Sequence, residues 1–192
     1  MIKLQPLQMQ QFRMVEEKLK QMAKTSQIEQ NKKFIQHGTT TLYTHCRNVA
    51  MMSLKIASFF KAKVDVESLI TGALLHDYYL YDWHDRKKCP PLHGYFHPGI
   101  ALKNAMAIYD LNKIEQDVIK HHMFPLTLCP PLTKEGWIVT LSDKLCSTYE
   151  TFKMNERHLA KRRKMLEKKV EREAVRHAKK AAGFQKLLVK RS

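Results

Sequence analysis

The stretch that most restricts how this chain can fold is residues 69–77, LITGALLHD, an apolar run that ends in an adjacent histidine and aspartate. Leu69 and Ala73 stand seven and three residues before His76, and Ile70 and Ala73 stand seven and four before Asp77. On a helix both polar residues therefore continue the apolar face instead of leaving it. An imidazole and a carboxylate buried there are costly unless something satisfies them. Hydrogen bonds from neighbouring helices would do so, and so would a metal ion. The dipeptide alone does not decide between them, so the rest of the chain must.

With 192 residues and 44% hydrophobic side chains, the chain can bury a core and reads as one domain with room for an appendage. It has no apolar window of the roughly 18 residues that a membrane span needs. The first residues, MIKLQPLQMQQFRMVEEKLK, lack the apolar centre of a secretory signal. Cys46, Cys89, Cys129 and Cys146 are scattered without C-x-x-C spacing and read as reduced thiols of a cytoplasmic protein. The net charge of +16 is uneven. Residues 151–192 hold 15 Lys/Arg against 4 Asp/Glu, or +11 of that total. A partner inferred from the basic character thus need not be the substrate of the body.

Along the chain, residues 7–36 read as one or two polar amphipathic helices, with Gly38 suited to a left-handed helix cap. Thr39 or Thr40 is read as the cap of a helix whose stripe is Leu42, Cys46, Val49, Ser53, Ile56 and Phe60, with His45 beside it. Asp65 caps the helix carrying His76 and Asp77. The run YYLYDWHDRKKCPPLHGYF is read as an ordered aromatic loop, with a helix starting at His97-Pro98. Its backbone donors would favour an anion. Asn112 and Glu115 have capping-box spacing for a helix that carries His121 and His122 and stops at Pro125. A further helix over residues 136–152 contains Asp143, and a charged helix follows to about residue 180. No strand alternation and no internal repeat is visible. The fold class is all-α.

In chain order His45, His76-Asp77, His97, His121-His122 and Asp143 now stand at buried or cap positions on successive helices. Imidazoles with a few carboxylates suit two borderline divalent cations. Neighbours on a helix diverge by about 100°, so His76-Asp77 and His121-His122 can each bracket a site from one wall.

This order resembles the signature of the HD superfamily of metal-dependent phosphohydrolases. The matching pieces are THCRNVA at His45, ALLHD at His76 and Asp77, HPGIALKNA at His97, KHH at His121-His122 and LSDKL at Asp143. HDYYLYDWHD further resembles a group of small uncharacterised bacterial HD proteins, which supplies no substrate. The resemblance implies an HD-domain helical bundle, taken with the N-terminal helices as residues 1–152, and the charge balance sets residues 153–192 apart as a basic helical extension. It implies two divalent transition metal ions (Fe, Mn or Zn). His45, His76, Asp77 and Asp143 would hold one, and His97, His121 and His122 the other, with Asp77 bridging. The implied activity is cleavage of a phosphomonoester or phosphodiester, of a nucleotide foremost, by water activated at the ions. Asp77 would orient the reacting groups, and Lys144 would neutralise phosphate charge, with Arg47, Lys87 and Lys88 as further basic candidates.

The chain departs from family patterns in places. The Ile-Gly-Lys that often follows His-Asp is Tyr78-Tyr79-Leu80 here, and no Glu follows three residues after Asp77. His-His is followed by Met123 rather than Glu, and no Gly-Tyr-Pro follows, which speaks against cyclic di-GMP. His121 also reads as a residue facing solvent, which would leave a single-metal site. His84-Asp85 repeats the dipeptide in a polar loop and reads as a loop or substrate-contact element. His93 is a candidate for the mouth of the site. His37 reads as a helix-end residue, and His158 and His177 as solvated. Tyr78, Tyr79, Tyr81 and Trp83 read as packing of a loop over the core, with base stacking as the alternative. The tail stripe Leu159, Leu166, Val170 and Ala174 reads as a thin packing edge, with binding of RNA or another polyanion as the alternative. The competing functional class is a nucleic-acid-binding or regulatory module whose HD core is structural or degenerate.

Overall fold

A computed structural model describes residues 6–153 except 86 and 88, together with residues 156, 159–161, 164, 165 and 168. The chain divides into two units, Met1–Thr151 and Phe152–Ser192. The described residues of the second unit are helical. Of its expected stripe, Leu166, Val170 and Ala174 lie outside the described residues, as do His158 and His177.

The first unit is a helical bundle, as the sequence predicts. Its helices are α1 (Pro6–Thr25), α2 (Leu42–Phe59), α3 (Val66–Leu75), α4 (His93–Met106) and α5 (Lys113–His121), with α6 over residues 134–153, whose last two residues belong to the second unit. α3 packs against α1, α2, α4 and α5 and is buried at every position from Ser68 to Leu75. A helix apolar all round has to be a core helix. α2 buries Leu42, His45, Cys46, Val49, Ala50, Ser53, Leu54 and Ala57, a three-and-four spacing that lays one face on α3. Gly72 permits the close approach of α3 to α5: a Cβ there would stand 2.7 Å from Val118 Cγ1.

The start signals act as their chemistry requires. Asp65 accepts a hydrogen bond from Ser68 N at 2.9 Å, and Asn112 with Glu115 forms a full capping box. Three expectations are corrected. Residues 26–41 are not helix running to Gly38. They form a short 3₁₀ helix (Ile28–Lys33) and an antiparallel hairpin, β1 (Ile35–His37) and β2 (Thr40–Thr41), pairing Ile35 with Thr41 and His37 with Thr40. Gly38, at φ 63°, serves the hairpin turn, and Thr41 is the cap of α2. The fourth helix does not start at His97-Pro98. It starts at His93 after Leu92 in a left-handed conformation, so His97, Pro98 and Gly99 lie inside it and offer no terminal donors to an anion.

Candidate metal centre

Five elements bring the polar residues together. His45 projects from the first turn of α2, and His76 and Asp77 follow the last turn of α3. His97 lies within α4, His122 follows α5, and Asp143 lies within α6. All are buried, with His45 and His76 at 0% exposure and Asp77 at 2%.

Each of the four imidazoles has its Nδ1 engaged from behind. His76 Nδ1 donates to Ala73 O at 2.8 Å, His97 Nδ1 to His93 O at 2.9 Å and His122 Nδ1 to Ile119 O at 2.8 Å. His45 Nδ1 lies 3.0 Å from Glu150 Oε2. His76 and His122 use the same device. Each stands at the C-terminus of its helix and donates to a carbonyl three residues back that the helix leaves unpaired. Occupying Nδ1 fixes the tautomer, so all four rings present Nε2 to the interior.

Asp77 divides its two oxygens between two groups of these nitrogens. Oδ2 lies 3.4 Å from His76 Nε2 and 4.0 Å from His45 Nε2. Asp143 Oδ1 closes that group, at 3.1 Å from His45 Nε2 and 3.8 Å from His76 Nε2. Oδ1 of Asp77 lies 3.1 Å from His97 Nε2 and 3.4 Å from His122 Nε2, and those two nitrogens are 2.9 Å apart. With both Nδ1 atoms protonated, two lone pairs would meet across that gap unless a proton or another cation sits between them, and although burial opposes it, Asp77 raises the basicity of His97 on that side. A cation relieves such a contact, because two nitrogens at right angles, each ~2.1 Å from an ion, stand roughly 3 Å apart. His76 Nε2 and Asp77 Oδ1 are buried without a hydrogen-bond partner. Groups of this kind demand compensation. His45, His76 and Asp143 converge closely enough to share an ion, and so do His76, Asp77 and His122. The residues present therefore fit divalent metal.

The electrostatics agree. Burial works against charging Asp77, but His76, His122 and His97 hold its carboxyl well below the usual range. Burial likewise opposes ionisation of Asp143, and His45 and Lys144 overcome it. At His45 burial disfavours the imidazolium, yet the bonds to Asp143 and Glu150 prevail and raise it to about 10. A field that draws a proton to Nε2 draws any cation there. Burial lowers His76 to about 4, leaving it neutral as a ligand must be.

His121 stands apart from this cluster. Its Nδ1 is 2.7 Å from Asp117 Oδ1, one turn back on α5, and Asp117 also accepts from Leu132 N, Thr133 N and the Thr133 hydroxyl. With His122 aimed inward, the 100° step turns its neighbour away. Arg47 is also elsewhere, bound to Glu16 and lying over the Phe12 ring. Lys87 is exposed in the loop, and Lys88 lies outside the described residues. Lys144 is at the centre: its Nζ lies 3.0 Å from Asp143 Oδ2 and 3.1 Å from His122 O.

Two buried partners went unnoticed in the sequence. Gln36 on β1 donates from Nε2 to Asp77 Oδ2 at 2.7 Å and accepts from the Tyr79 hydroxyl. Glu150 holds His45 and accepts from Asn48 Nδ2 at 3.1 Å. Glu150 has a legible signal, since it stands seven residues after Asp143 on one helix face. Gln36 has none.

A cavity of about 270 Å³ opens onto the cluster, lined among others by His37, Trp83, His93, Met123, Lys144 and Ser147. His37 is thus a wall residue at the end of β1, meeting His45 edge-on at 5.5 Å, not a helix end. His93 stacks on His97 at 4.6 Å and is fixed by Tyr81 Oη, 2.8 Å from its Nδ1. The aromatic run packs: Tyr78 and Tyr79 are buried, and Trp83 has His84 at 3.9 Å and His93 at 5.6 Å.

The family model described as HD domain matches residues 42–148, just over half of the chain. No curated protein and no solved structure matches it.

Proposed function

The chain belongs to the HD domain family, and on that premise we propose that it is a phosphohydrolase with a two-metal centre, acting on small phosphomonoesters or phosphodiesters, nucleotides included. The observation that carries this reading is the divided carboxylate of Asp77, with one oxygen toward His45, His76 and Asp143 and the other toward His97 and His122. In this reading His45, His76, Asp77 and Asp143 would hold one ion. Asp77, His97 and His122 would hold the second, so that an outward His121 still leaves that side three donor groups instead of reducing the centre to one metal.

Bound divalent ions supply Lewis acidity, lowering the pKa of water and offsetting charge on phosphate oxygens. The chain's own residues do the rest. Gln36 and Tyr79 lock the carboxylate of Asp77 in the plane that serves both sides. Lys144, with 40% of its side chain exposed beside Asp143, brings the cationic side chain of the cavity wall to the phosphate. His37 and His93 line the cavity beside the two histidine groups. Trp83 is already engaged by the rings of His84 at 3.9 Å and His93 at 5.6 Å. Recognition therefore centres on the phosphate and not on stacking of a base between aromatic rings.

The test is hydrolysis of an aryl phosphate and a bis-aryl phosphodiester by protein stripped of metal and then reloaded with Mn²⁺, Fe²⁺ or Zn²⁺. The reloaded protein should cleave at least one of them, and the stripped protein neither. Metal uptake without hydrolysis of any phosphate ester would favour the competing reading, a regulatory module with a structural centre. Binding of RNA or another polyanion by residues 153–192 is a separate proposal. It rests on their charge and should weaken as salt rises. No helix among the described residues is long and apolar enough to cross a membrane. Cys46, Cys89, Cys129 and Cys146 are free thiols, in keeping with the cytoplasmic placement proposed for the chain.

A further inference from the structure

The two halves of the centre are not equivalent. His76, His97 and His122 rest their Nδ1 atoms on backbone carbonyls, whereas His45 rests on a carboxylate. That carboxylate, Glu150, is 6% exposed and lies beyond the segment matched by the family model. A buried carboxylate is costly unless it is paired. Here one oxygen lies 3.0 Å from His45 Nδ1 and the other accepts from Asn48 at 3.1 Å, so the group is spent on orienting His45. The charge inventory is equally lopsided. Asp143, Oδ2 of Asp77 and, behind His45, Glu150 face the first half. Lys144 Nζ, 3.0 Å from Asp143 Oδ2, offsets one of those charges and still leaves the first half the more negative, since among the described residues Oδ1 of Asp77 is the carboxylate oxygen that faces the second.

We propose that Glu150 is a positioning residue that makes the His45–His76–Asp77–Asp143 half the tighter of two inequivalent metal sites. This rests on the two-metal reading above. A carboxylate behind a ligating imidazole holds its ring plane and tautomer and makes the opposite nitrogen a stronger donor. A surplus of negative charge on one side favours the dication there.

Metal-stripped full-length protein is titrated with Mn²⁺ while the free ion is followed by its paramagnetic resonance signal. The parent should fill two classes of site of clearly different affinity. Glu150→Gln keeps the shape and an acceptor oxygen but removes the charge. It should weaken the tighter class about 10- to 100-fold and leave the weaker class unchanged. His122→Ala should do the reverse. If Glu150 only packs α6 against α2, Glu150→Gln will bind Mn²⁺ like the parent, and the proposal fails. Because a variant can misfold, a second measurement uses the parent itself. With Zn²⁺ bound and ¹⁵N-labelled histidine, the Nδ1 proton of His45 should appear as a downfield, slowly exchanging resonance that is missing in His45→Ala. A proton-free Nδ1 overturns the proposal. If the parent takes up no Mn²⁺, the two-metal reading falls as well. If it takes up Mn²⁺ and Glu150→Gln changes nothing, only the role of Glu150 is lost.

Discussion

The chain contains the dipeptide His-Asp twice in ten residues, and the two copies have opposite fates. His76-Asp77 ends the core helix α3, and its partners come from far away in sequence. Gln36 is 41 residues from Asp77, and His97 and His122 arrive on other helices. His84-Asp85 satisfies itself within a few residues. His84 lies on Trp83 and takes Asp82 as its partner for both backbone N, at 2.9 Å, and Nδ1, at 3.3 Å. Asp85 accepts from Lys87 N at 3.0 Å. A carboxylate with local donors is a turn element. One that is buried and faced by imidazoles from other helices has the donor set of a cation site. Burial and convergence make that difference, and the residue types do not.

The largest expected effect tests this contrast directly. Asp77→Ala removes a ligand from both halves and the negative charge between them. Metal content should fall to a small fraction of the parent's, and phosphoesterase activity should drop by several orders of magnitude. Asp85→Ala should keep both. Metal analysis and an assay on the two variants beside the parent decide it. Loss only with Asp85→Ala would move the centre to the other pair, and equal retention in both would mean that the centre is not at His76-Asp77.

The adjacent histidines sharpen the contrast at single-residue resolution. His122→Ala should remove one ion per chain and most activity, as counted by elemental analysis. His121→Ala should leave the metal count untouched and cost only about 1 kcal/mol of stability, since Asp117 keeps its three bonds from Leu132 and Thr133. A metal count that falls with His121→Ala would return that residue to the ligand set.

Asp117 itself should show a smaller effect, in stability and not in metal. Burial pushes its carboxyl up, but the bonds from Thr133, His121 and Leu132 outweigh it and hold it below 3.8. A depressed carboxyl contributes stability that is present above its unfolded value and lost as pH falls through the folded one. Thermal unfolding of the parent and Asp117→Asn should therefore differ most near neutral pH and converge below about pH 4. A gap that stays constant down to pH 2 would mean that the carboxylate charge contributes nothing.

Much of this was legible in the chain. The apolar face of α2 from Leu42 to Ser53, the caps at Asp65 and Asn112, and the order of His45, His76, Asp77, His97, His122 and Asp143 depend on periodicity and local hydrogen bonding, which a linear sequence carries in full, whereas Phe60, expected on that face, lies past the end of the helix and is exposed. The helical class follows from the same local rules. What the sequence left open were choices between equivalent local solutions. It offered two neighbouring histidines and two His-Asp pairs, and the packing of the helices around α3 decided which of each faced inward. It placed the start of α4 one turn late, because Pro98 suits a first helical position, yet the helix begins at His93. It gave Gln36 no role, because a hairpin residue acquires one only when it meets Asp77 across the fold. Tertiary structure alone decided the division of the Asp77 carboxylate and the buttress of Glu150. Apart from adjacent His76, the histidines around Asp77 stand 20 to 45 residues away and Glu150 stands 105 from His45, and such contacts exist only after the core has closed.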